Sequence, residues 1–316
     1  MPNSLLASPP EVVLGVLTYR RPAELARILP ALLDQAVDLE RQHGCSVSVL
    51  VVDNDAEGSA DAVARAAGDR VRYVQETEPG IAPARARAVV EAGSADALVF
   101  IDDDELPRPG WLVNLVSTWM QHGSPAGVAG RVTPTYPDDL DPWIKAGGFF
   151  SRRAYATGTA VPAASSANLL LNLDLLRELH LNFDAGLGMR GGEDTLLTST
   201  LTRSGHEVVW CAEAEVLDLI PRARMNRGWV LRRSLSHGVA ASRIEIALAR
   251  HAVPVRGRLL LTGASRVLGG VLLAASGRVR RSLRAQALGS RLSYRGAGMV
   301  LGAIGYDLVE YKRSGS

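Results

Sequence analysis

The sequence predicts an α/β fold with a mainly parallel central sheet, helices on both faces and a C-terminal helical region. Two observations predict it. Short apolar runs rich in β-branched residues alternate with helical stretches in the N-terminal third, as in parallel sheets that are covered on both faces. From about Trp229 onward the pattern is helical. We therefore expect an α/β domain over residues 1–225 and a basic helical region over residues 226–316.

Four strands are predicted in the N-terminal third: Val12–Leu17, Val47–Val52, Val71–Gln75 and Ala97–Ile101. The helices predicted between them are Pro22 to about Gln42, Ser59–Ala67 and Ala82–Ala92. Thr18, Asp53 and the run Asp102–Asp104 each follow one of these strands. Because ligands bind at the carboxyl ends of parallel strands, we expect these polar groups to share one site.

The middle of the chain is less regular. The elements predicted there are helix Trp111–Met120, strand Gly127–Val132, strand Asn168–Leu171, helix Leu173–Leu179 and a helix opened by Gly191-Gly192-Glu193-Asp194. The segment Pro134–Thr159 is rich in Pro, Gly and aromatic residues, and we expect a long loop over the site.

Composition excludes several classes of protein. The two cysteines, Cys45 and Cys211, are far apart, which argues against a disulfide framework or a cysteine-based zinc site and favours the reducing cytoplasm. The first ten residues lack the basic start and apolar stretch of a signal peptide, so none is predicted. No basic patch interleaved with aromatic residues is found, so nucleic acid is not an expected partner.

The charge is divided unevenly along the chain. From His251 to the end there are eleven Lys and Arg against two acids, whereas the preceding 250 residues carry a net charge of −7. Within this tail, Leu259–Ala275 is apolar but only 17 residues long and contains Arg266, which disfavours a membrane-spanning helix. Two alternatives stay open. The helices pack on the α/β domain or a second subunit, or one lies on an anionic membrane with its arginines at the headgroups; these are Arg278, Arg280, Arg281 and Arg284.

Asp102, Asp103 and Asp104 carry the clearest chemical signal. Neighbouring carboxylates repel one another and their pKa values rise unless a cation compensates them. Mg²⁺ and Mn²⁺ prefer carboxylate and phosphate oxygens, so the triplet predicts a divalent metal between protein and diphosphate. The alternative is a solvated acidic loop.

Four stretches, in order, resemble family 2 glycosyltransferases, which share the GT-A fold: VVLGVLTYRRP, VVDNDAEG, GIAPARARAVVEAGSADALVFIDDDE and NLLLNLDLLRELHLNFDAGLGMRGGEDTLL. The resemblance covers about Val12 to Arg250. It implies that a sugar is transferred, with inversion, from a nucleoside-diphosphate donor, with Mn²⁺ or Mg²⁺ as cofactor. We expect the nucleotide of the donor to be UDP. The acceptor stays open between a glycan, a lipid-linked sugar and a small natural product. The location implied is the cytoplasm or the inner face of the membrane.

The resemblance also implies a nucleotide-binding set. Asp53 would accept a hydrogen bond from the base and Asp102 would contact the ribose, while the rest of the nucleotide wall would comprise Thr18, Arg20, Arg85 and Asp103. Two alternatives stay open from the residues alone. Asp53 could cap its own loop, and Arg85 could form a surface salt bridge.

For the metal, the resemblance implies Asp104 as a ligand, with Asp102 and Asp218 completing the set. Two departures from the family pattern bear on this. Ala86 stands where the family usually has Asn, and Asp218 stands where many members have a His that reaches the metal or diphosphate.

For the chemistry, the resemblance selects Asp194 as general base, with Glu193 orienting the acceptor or holding Asp194. Helix capping is the alternative for both acids. Trp111 is expected to stack on an acceptor sugar or else to anchor its helix, and Asn168 is expected near the acceptor or else bonded to the backbone.

Two other functions compete with this one. A non-catalytic nucleotide-sugar-binding protein could use the same scaffold, although the Glu193-Asp194 pair argues against it. A sugar nucleotidyltransferase ranks lower, because the first strand is followed by Thr18-Tyr19-Arg20-Arg21-Pro22, which contains no glycine.

Overall fold

The computed structural model describes residues 9–308, which fall into two units. Within that range, the first unit comprises the chain up to Thr133, Arg152–Met189 and Glu193–Asp218. The second comprises Pro134–Ser151, Arg190–Gly192 and the chain from Leu219 onward. The boundary predicted after residue 225 treated the chain as two consecutive domains, whereas the second unit is assembled from three separate segments.

The described residues form one eight-stranded sheet and ten α-helices. The strands are β1 (Glu11–Thr18), β2 (Ser46–Asp53), β3 (Val71–Gln75), β4 (Ala97–Asp102), β5 (Glu105–Pro107), β6 (Gly127–Thr135), β7 (Asn168–Asn172) and β8 (Val208–Leu219). The helices are α1 (Pro22–His43), α2 (Asp61–Ala66), α3 (Ile81–Glu91), α4 (Trp111–Gln121), α5 (Pro142–Gly147), α6 (Leu173–Glu178), α7 (Glu193–Arg203), α8 (Arg227–Ala247), α9 (Ala252–Val279) and α10 (Leu283–Ala303).

The sheet has the order β3-β2-β1-β4-β7-β6-β8-β5. β1 pairs in parallel with β2 and β4, and β2 pairs in parallel with β3. The pairs β4–β7, β6–β7 and β5–β8 are antiparallel, so the sheet is mixed. The α/β class and the C-terminal helical region are confirmed. Two strands were not predicted from the sequence: β5, which has only three residues, and β8, in which buried and partly exposed residues alternate toward its end.

The sheet is buried on both faces, which explains its continuously apolar strands. Along β1, Val12, Leu14 and Val16 belong to the core cluster beneath α1 and α4. The residues between them, Val13 and Leu17, belong to a second cluster on the opposite face, beside α3 and α7. Since successive side chains of a strand point to opposite faces, the positions of β1 from Val12 to Leu17 are all required to be apolar or small.

Gly80 begins α3 at a point of close backbone contact. Its φ is +138°, and its N–H donates to Asn54 Oδ1 at 2.8 Å. A Cβ at this position would lie 2.6 Å from the carbonyl oxygen of Gly188. Both the positive φ and the contact with backbone require glycine here.

Gly80→Ala is therefore expected to destabilise the protein more than Gly68→Ala, its matched control. Gly68 also has a positive φ, +93°, but an added Cβ there meets nothing within 4 Å. The strained backbone alone should cost about 1–3 kcal/mol at either position, and the collision adds to it at Gly80. Urea denaturation of both variants measures the difference. Equal losses would mean that the contact with Gly188 is relieved without cost.

In the second unit, the segment expected to be a long loop contains α5. Asp141 caps this helix by accepting from the backbone N–H of Trp143 at 2.7 Å, and Trp143 and Ile144 are buried. The Trp143 ring stacks on Phe149, with 5.1 Å between ring centroids. The expectation of a loop over Pro134–Thr159 was therefore wrong for residues 142–147, because an Asp–Pro start and buried aromatic residues stabilise a short helix there.

Candidate active site

The acidic triplet begins at the last residue of β4, and its members have different surroundings. Asp103 is buried and accepts from Thr18 Oγ1 and from Arg21 Nη1, both at 2.8 Å. Arg21 also pairs with Asp104 at 3.0 Å. Desolvation raises the pKa of Asp103 to about 6, although Arg21 and Thr18 act to lower it. Asp103 therefore joins the end of β4 to Thr18, the last residue of β1, and to Arg21 in the loop that follows β1. Asp103 and Thr18 were both predicted in the nucleotide wall.

Asp102 is the most exposed acid of the triplet, with 39% of its side chain accessible. Desolvation raises its pKa, as do the charges of Asp104 and Asp218, while Arg85 lowers it from 3.5 Å away. A bound cation would relieve this repulsion. The surroundings of Asp102 thus favour a positively charged ligand.

Glu105 is a buried acid beneath the triplet, and it was not among the predicted site residues. Its Oε2 accepts from the backbone N–H of Asp102 at 3.1 Å, and it lies opposite Asp218 in the β5–β8 ladder. Desolvation and the neighbouring Asp102 raise its pKa well above the ordinary value for a glutamate. Its position directly after three aspartates was the feature of the sequence that could have identified Glu105 as part of the site.

Asp218 lies next to the acidic cluster, opposite Glu105, and it has a partner of its own. Arg152 Nη2 donates to Asp218 Oδ2 at 2.8 Å. The charges of Asp218, Glu105 and Asp102 raise the pKa of Arg152 against its desolvation. Arg152 lies in an irregular segment, and its sequence context gave no indication of this role.

The residues present fit a divalent metal only in part. Across residues 9–308, no group of three or more His, Cys, Asp or Glu side chains is arranged to hold a metal ion. The metal set of Asp102, Asp104 and Asp218 stays a prediction. Asp102 and Asp104 nevertheless offer hard oxygen donors with unfavourable mutual repulsion. Mg²⁺ is commonly held by one or two carboxylates together with substrate phosphates, and the donor set fits that arrangement.

Arg85 connects the triplet to the start of α7. It pairs with Asp102 at 3.5 Å and hydrogen-bonds Glu193 through Nη1. Arg85 and Glu193 are both buried, which excludes the surface salt bridge considered for Arg85. Glu193 was expected to orient the acceptor or to hold Asp194; its observed partner is Arg85, and its Oε2 has no hydrogen-bond partner among the described residues.

Asp194 is the second residue of α7 and is partly exposed. Its Oδ1 accepts from the backbone N–H of Thr195 at 2.6 Å, and its Oδ2 accepts from that of Ser166 at 3.2 Å. These bonds fix the carboxylate on the backbone. Because each carboxylate oxygen has two lone pairs, acceptor capacity is left for a hydroxyl group.

Asp53 is fully buried at the end of β2. It accepts from the backbone N–H groups of Ala60 at 2.8 Å and Asp55 at 3.1 Å, and from the Tyr73 hydroxyl at 3.1 Å. Desolvation raises its pKa. The loop-capping alternative is therefore observed, and the contact with a nucleotide base stays a prediction. Arg20 is half-exposed and pairs with Asp55 at 3.3 Å.

The acceptor roles expected for Trp111 and Asn168 are wrong. Both residues are buried, and Trp111 Nε1 donates to Asn168 Oδ1 at 2.8 Å. Asn168 Nδ2 donates to the carbonyl oxygens of Arg131 and Ala214, each at 2.9 Å. A side chain enclosed in the core cannot stack on a sugar, so the anchoring and backbone-bonding alternatives hold.

Comparison with known proteins identifies the family. The model described as glycosyl transferase family 2 matches residues 14–179. The chain is also 31% identical over 268 residues to the succinoglycan biosynthesis protein ExoM of Rhizobium meliloti (strain 1021), covering 84% of this chain and 83% of that protein. The chain belongs to glycosyl transferase family 2. It is a glycosyltransferase.

Two solved structures share the fold of this glycosyltransferase. The mannosyltransferase PcManGT from Pyrobaculum calidifontis, in complex with GDP-Man and Mn²⁺, has a TM-score of 0.63 at 17% identity and covers 96% of this chain and 89% of its own. GalNAc-T7 with UDP, GalNAc and Mn²⁺ has a TM-score of 0.52 at 12% identity over 75% of this chain. The chain spans about half the length of GalNAc-T7, 51%. The predicted GT-A fold is confirmed.

Proposed function

We propose that this glycosyltransferase moves a sugar from a nucleoside-diphosphate donor, UDP-linked by expectation, to an acceptor hydroxyl with inversion at the anomeric carbon. The observation that carries the proposal is the double pairing of Arg85. Its guanidinium contacts Asp102 at the end of β4 and Glu193 at the start of α7, next to Asp194. The buried guanidinium of Arg85 thereby links Asp102, which is expected to bind the donor, to α7, the helix that carries the expected base Asp194.

Asp102 and Asp104 would hold Mn²⁺ or Mg²⁺ together with the diphosphate. When bound, the metal supplies positive charge against the leaving diphosphate. The two solved structures of this fold contain Mn²⁺ with UDP or with GDP-Man, which supports a divalent metal and a nucleotide donor. Arg21 holds Asp104 from one side at 3.0 Å and so orients it as a ligand.

Asp194 would act as the general base. A sugar hydroxyl is a poor nucleophile at neutral pH, so a positioned carboxylate takes its proton as the new bond forms. In an inverting reaction the base lies on the face of the sugar opposite the diphosphate, and it therefore differs from the metal ligands. The backbone donors of Ser166 and Thr195 fix Asp194 in place for this role.

The acceptor class is a glycan, a lipid-linked sugar or a small natural product. The relative ExoM is named for succinoglycan biosynthesis, which favours a growing polysaccharide chain. We place the reaction in the cytoplasm or at the inner face of the membrane, where sugar nucleotides are available.

Asp104→Ala is expected to abolish the metal-dependent part of donor affinity while leaving the fold intact. Thermal shift across nucleotide sugars, with and without Mn²⁺, measures it, because a ligand that binds only the folded state raises Tm. Asp61→Ala, which removes an exposed acid of α2 paired with Arg65, is the control and should retain the Mn²⁺ effect. Tight donor binding by the wild-type protein in EDTA would contradict the proposal. Donor binding with no release of nucleoside diphosphate would favour the non-catalytic alternative.

A further inference from the structure

The outer face of α9 exposes large apolar side chains. Leu261, Leu268 and Leu272 have accessible fractions of 76%, 64% and 61%. Between Arg258 and Arg278 the helix carries a single charged residue, Arg266. Arg266 lies on the inner side, with Nη1 2.8 Å from Met299 Sδ. The exposed face between the two flanking arginines is thus uncharged over about 28 Å of helix.

The buried positions of α9 are mostly small: after Leu259 they are Gly263, Gly270, Ala274 and Gly277. A Cβ added to Gly263 would lie 2.9 Å from the carbonyl oxygen of Gly296 on α10, and one added to Gly270 would lie 2.6 Å from that of Gly289. A Cβ on Gly277, seven residues further, would lie 2.6 Å from the backbone nitrogen of Gln286. α9 and α10 therefore pack backbone against backbone at three glycines of α9 that are spaced seven residues apart.

This arrangement is the reverse of that expected for a helix pair in water. There the hydrophobic effect places leucine and valine between the helices and small or polar residues outside. In lipid no such force acts between helices, and small residues allow close packing while large apolar side chains face the acyl chains. The distribution of side chains on α9 matches the second environment.

Arginines surround the apolar face at both ends. Arg258, near the start of α9, has an exposed side chain that pairs with Glu245. The exposed residues at the end of α9 and at the start of α10 include four arginines: Arg278, Arg280, Arg281 and Arg284. Clusters of this kind bind anionic headgroups when they flank an apolar helix face. In contrast, among the described residues that follow α8, Asp307 is the one acidic residue.

We propose that α9 lies in the surface of an anionic phospholipid membrane, with Leu261, Leu268 and Leu272 among the acyl chains and the flanking arginines at the phosphates. Among the described residues, α9 is the one helix long and apolar enough to cross a membrane by length and composition. A crossing helix would take α10 with it, because the two pack along their length. α10 carries Arg291, which donates to the carbonyl oxygens of Gly147 and Gly148 beside α5. This places α10 on the protein side and α9 flat at the interface.

Vesicle flotation of the full-length protein tests the proposal. The protein should float with vesicles of phosphatidylcholine and phosphatidylglycerol at low salt, and much less with phosphatidylcholine alone or at about 0.5 M salt. Replacing Leu261, Leu268 and Leu272 by Ser should abolish flotation. Replacing Arg278, Arg280, Arg281 and Arg284 by Gln should lower the partition coefficient on anionic vesicles by roughly fivefold per arginine.

Matched controls come from the first unit. Val90→Ser removes an exposed apolar residue of α3, and Arg41→Gln with Arg65→Gln removes two exposed arginines. These variants should float like the wild-type protein, and circular dichroism should show every variant folded. Leu268→Ser alone, at an exposed position, gives a milder variant if the triple substitution fails to fold.

Three results would overturn the proposal. The first is wild-type protein that does not float on anionic vesicles, or a triple serine variant that floats unchanged. The second is a lipid-free dimer in sedimentation that the leucine substitutions convert to a monomer, since a second copy would then cover the face. The third is protein that stays in vesicles through alkaline carbonate extraction, which would indicate a spanning helix.

Discussion

Asp194→Asn is expected to lower kcat by roughly 10²–10⁴ and to leave donor affinity unchanged, because the amide keeps the size of the side chain but removes its basicity. The backbone N–H groups of Ser166 and Thr195 donate to different oxygens of Asp194, so the single amide oxygen of Asn can accept from only one of them. We therefore expect a small loss of stability with the fold retained. Release of nucleoside diphosphate from the donor in Mn²⁺, followed over time, measures kcat. Donor binding is measured separately by calorimetry.

Asp174→Asn is the control for this substitution. Asp174 is also the second residue of a helix, α6, and it pairs with Arg177 at 2.7 Å. If Asp194 only caps its helix, both variants should lose a little stability and keep their turnover. Near-full turnover of Asp194→Asn would therefore assign the base to another residue.

Arg85→Met is expected to destabilise the protein by about 3–5 kcal/mol, because it leaves the buried carboxylate of Glu193 without its counter-charge. Arg87→Met, on the same helix, is the control: Arg87 is exposed and pairs with Glu91 in an i,i+4 arrangement worth only a few tenths of a kcal/mol. Urea denaturation of both variants measures the difference.

The double variant Arg85→Met/Glu193→Leu separates charge from packing. A buried ion pair replaced by apolar residues of similar size often costs little, so this variant should recover much of the lost stability. Equal stability of Arg85→Met and Arg87→Met would mean that the ion pair between Arg85 and Glu193 does not contribute to the free energy of unfolding.

The strands and helices that were predicted correctly are those in which the pattern of apolar residues along the chain matches the burial of those residues in the fold. β1 and β2 are apolar at almost every position because both faces of the sheet are covered. β8 was missed because its second half alternates between buried and partly exposed residues, as in AEVLDL. The direction of β7 could not be read from its own residues, since it is set by the pairing with β4.

The candidate site shows the same limit. Asp102, Asp104 and Arg85 were accessible to sequence analysis because they lie in contiguous motifs next to a predicted strand. Arg152 was not, because it reaches Asp218 across 66 residues of chain. The acceptor role given to Trp111 was wrong because the residues around an aromatic side chain near an acidic loop do not show whether that side chain is exposed or buried.

The configuration of the first product tests the account most directly. The wild-type protein is mixed with Mn²⁺ and the nucleotide sugar that gives the largest thermal shift, and water takes the place of the acceptor hydroxyl. Proton NMR records the anomeric signal of the released sugar before it mutarotates. An α-linked donor should give a β-configured product, at a rate that falls by roughly 10²–10⁴ in Asp194→Asn. A product that retains the α-configuration, or equal rates for the two proteins, would contradict an inverting transfer with Asp194 as its base.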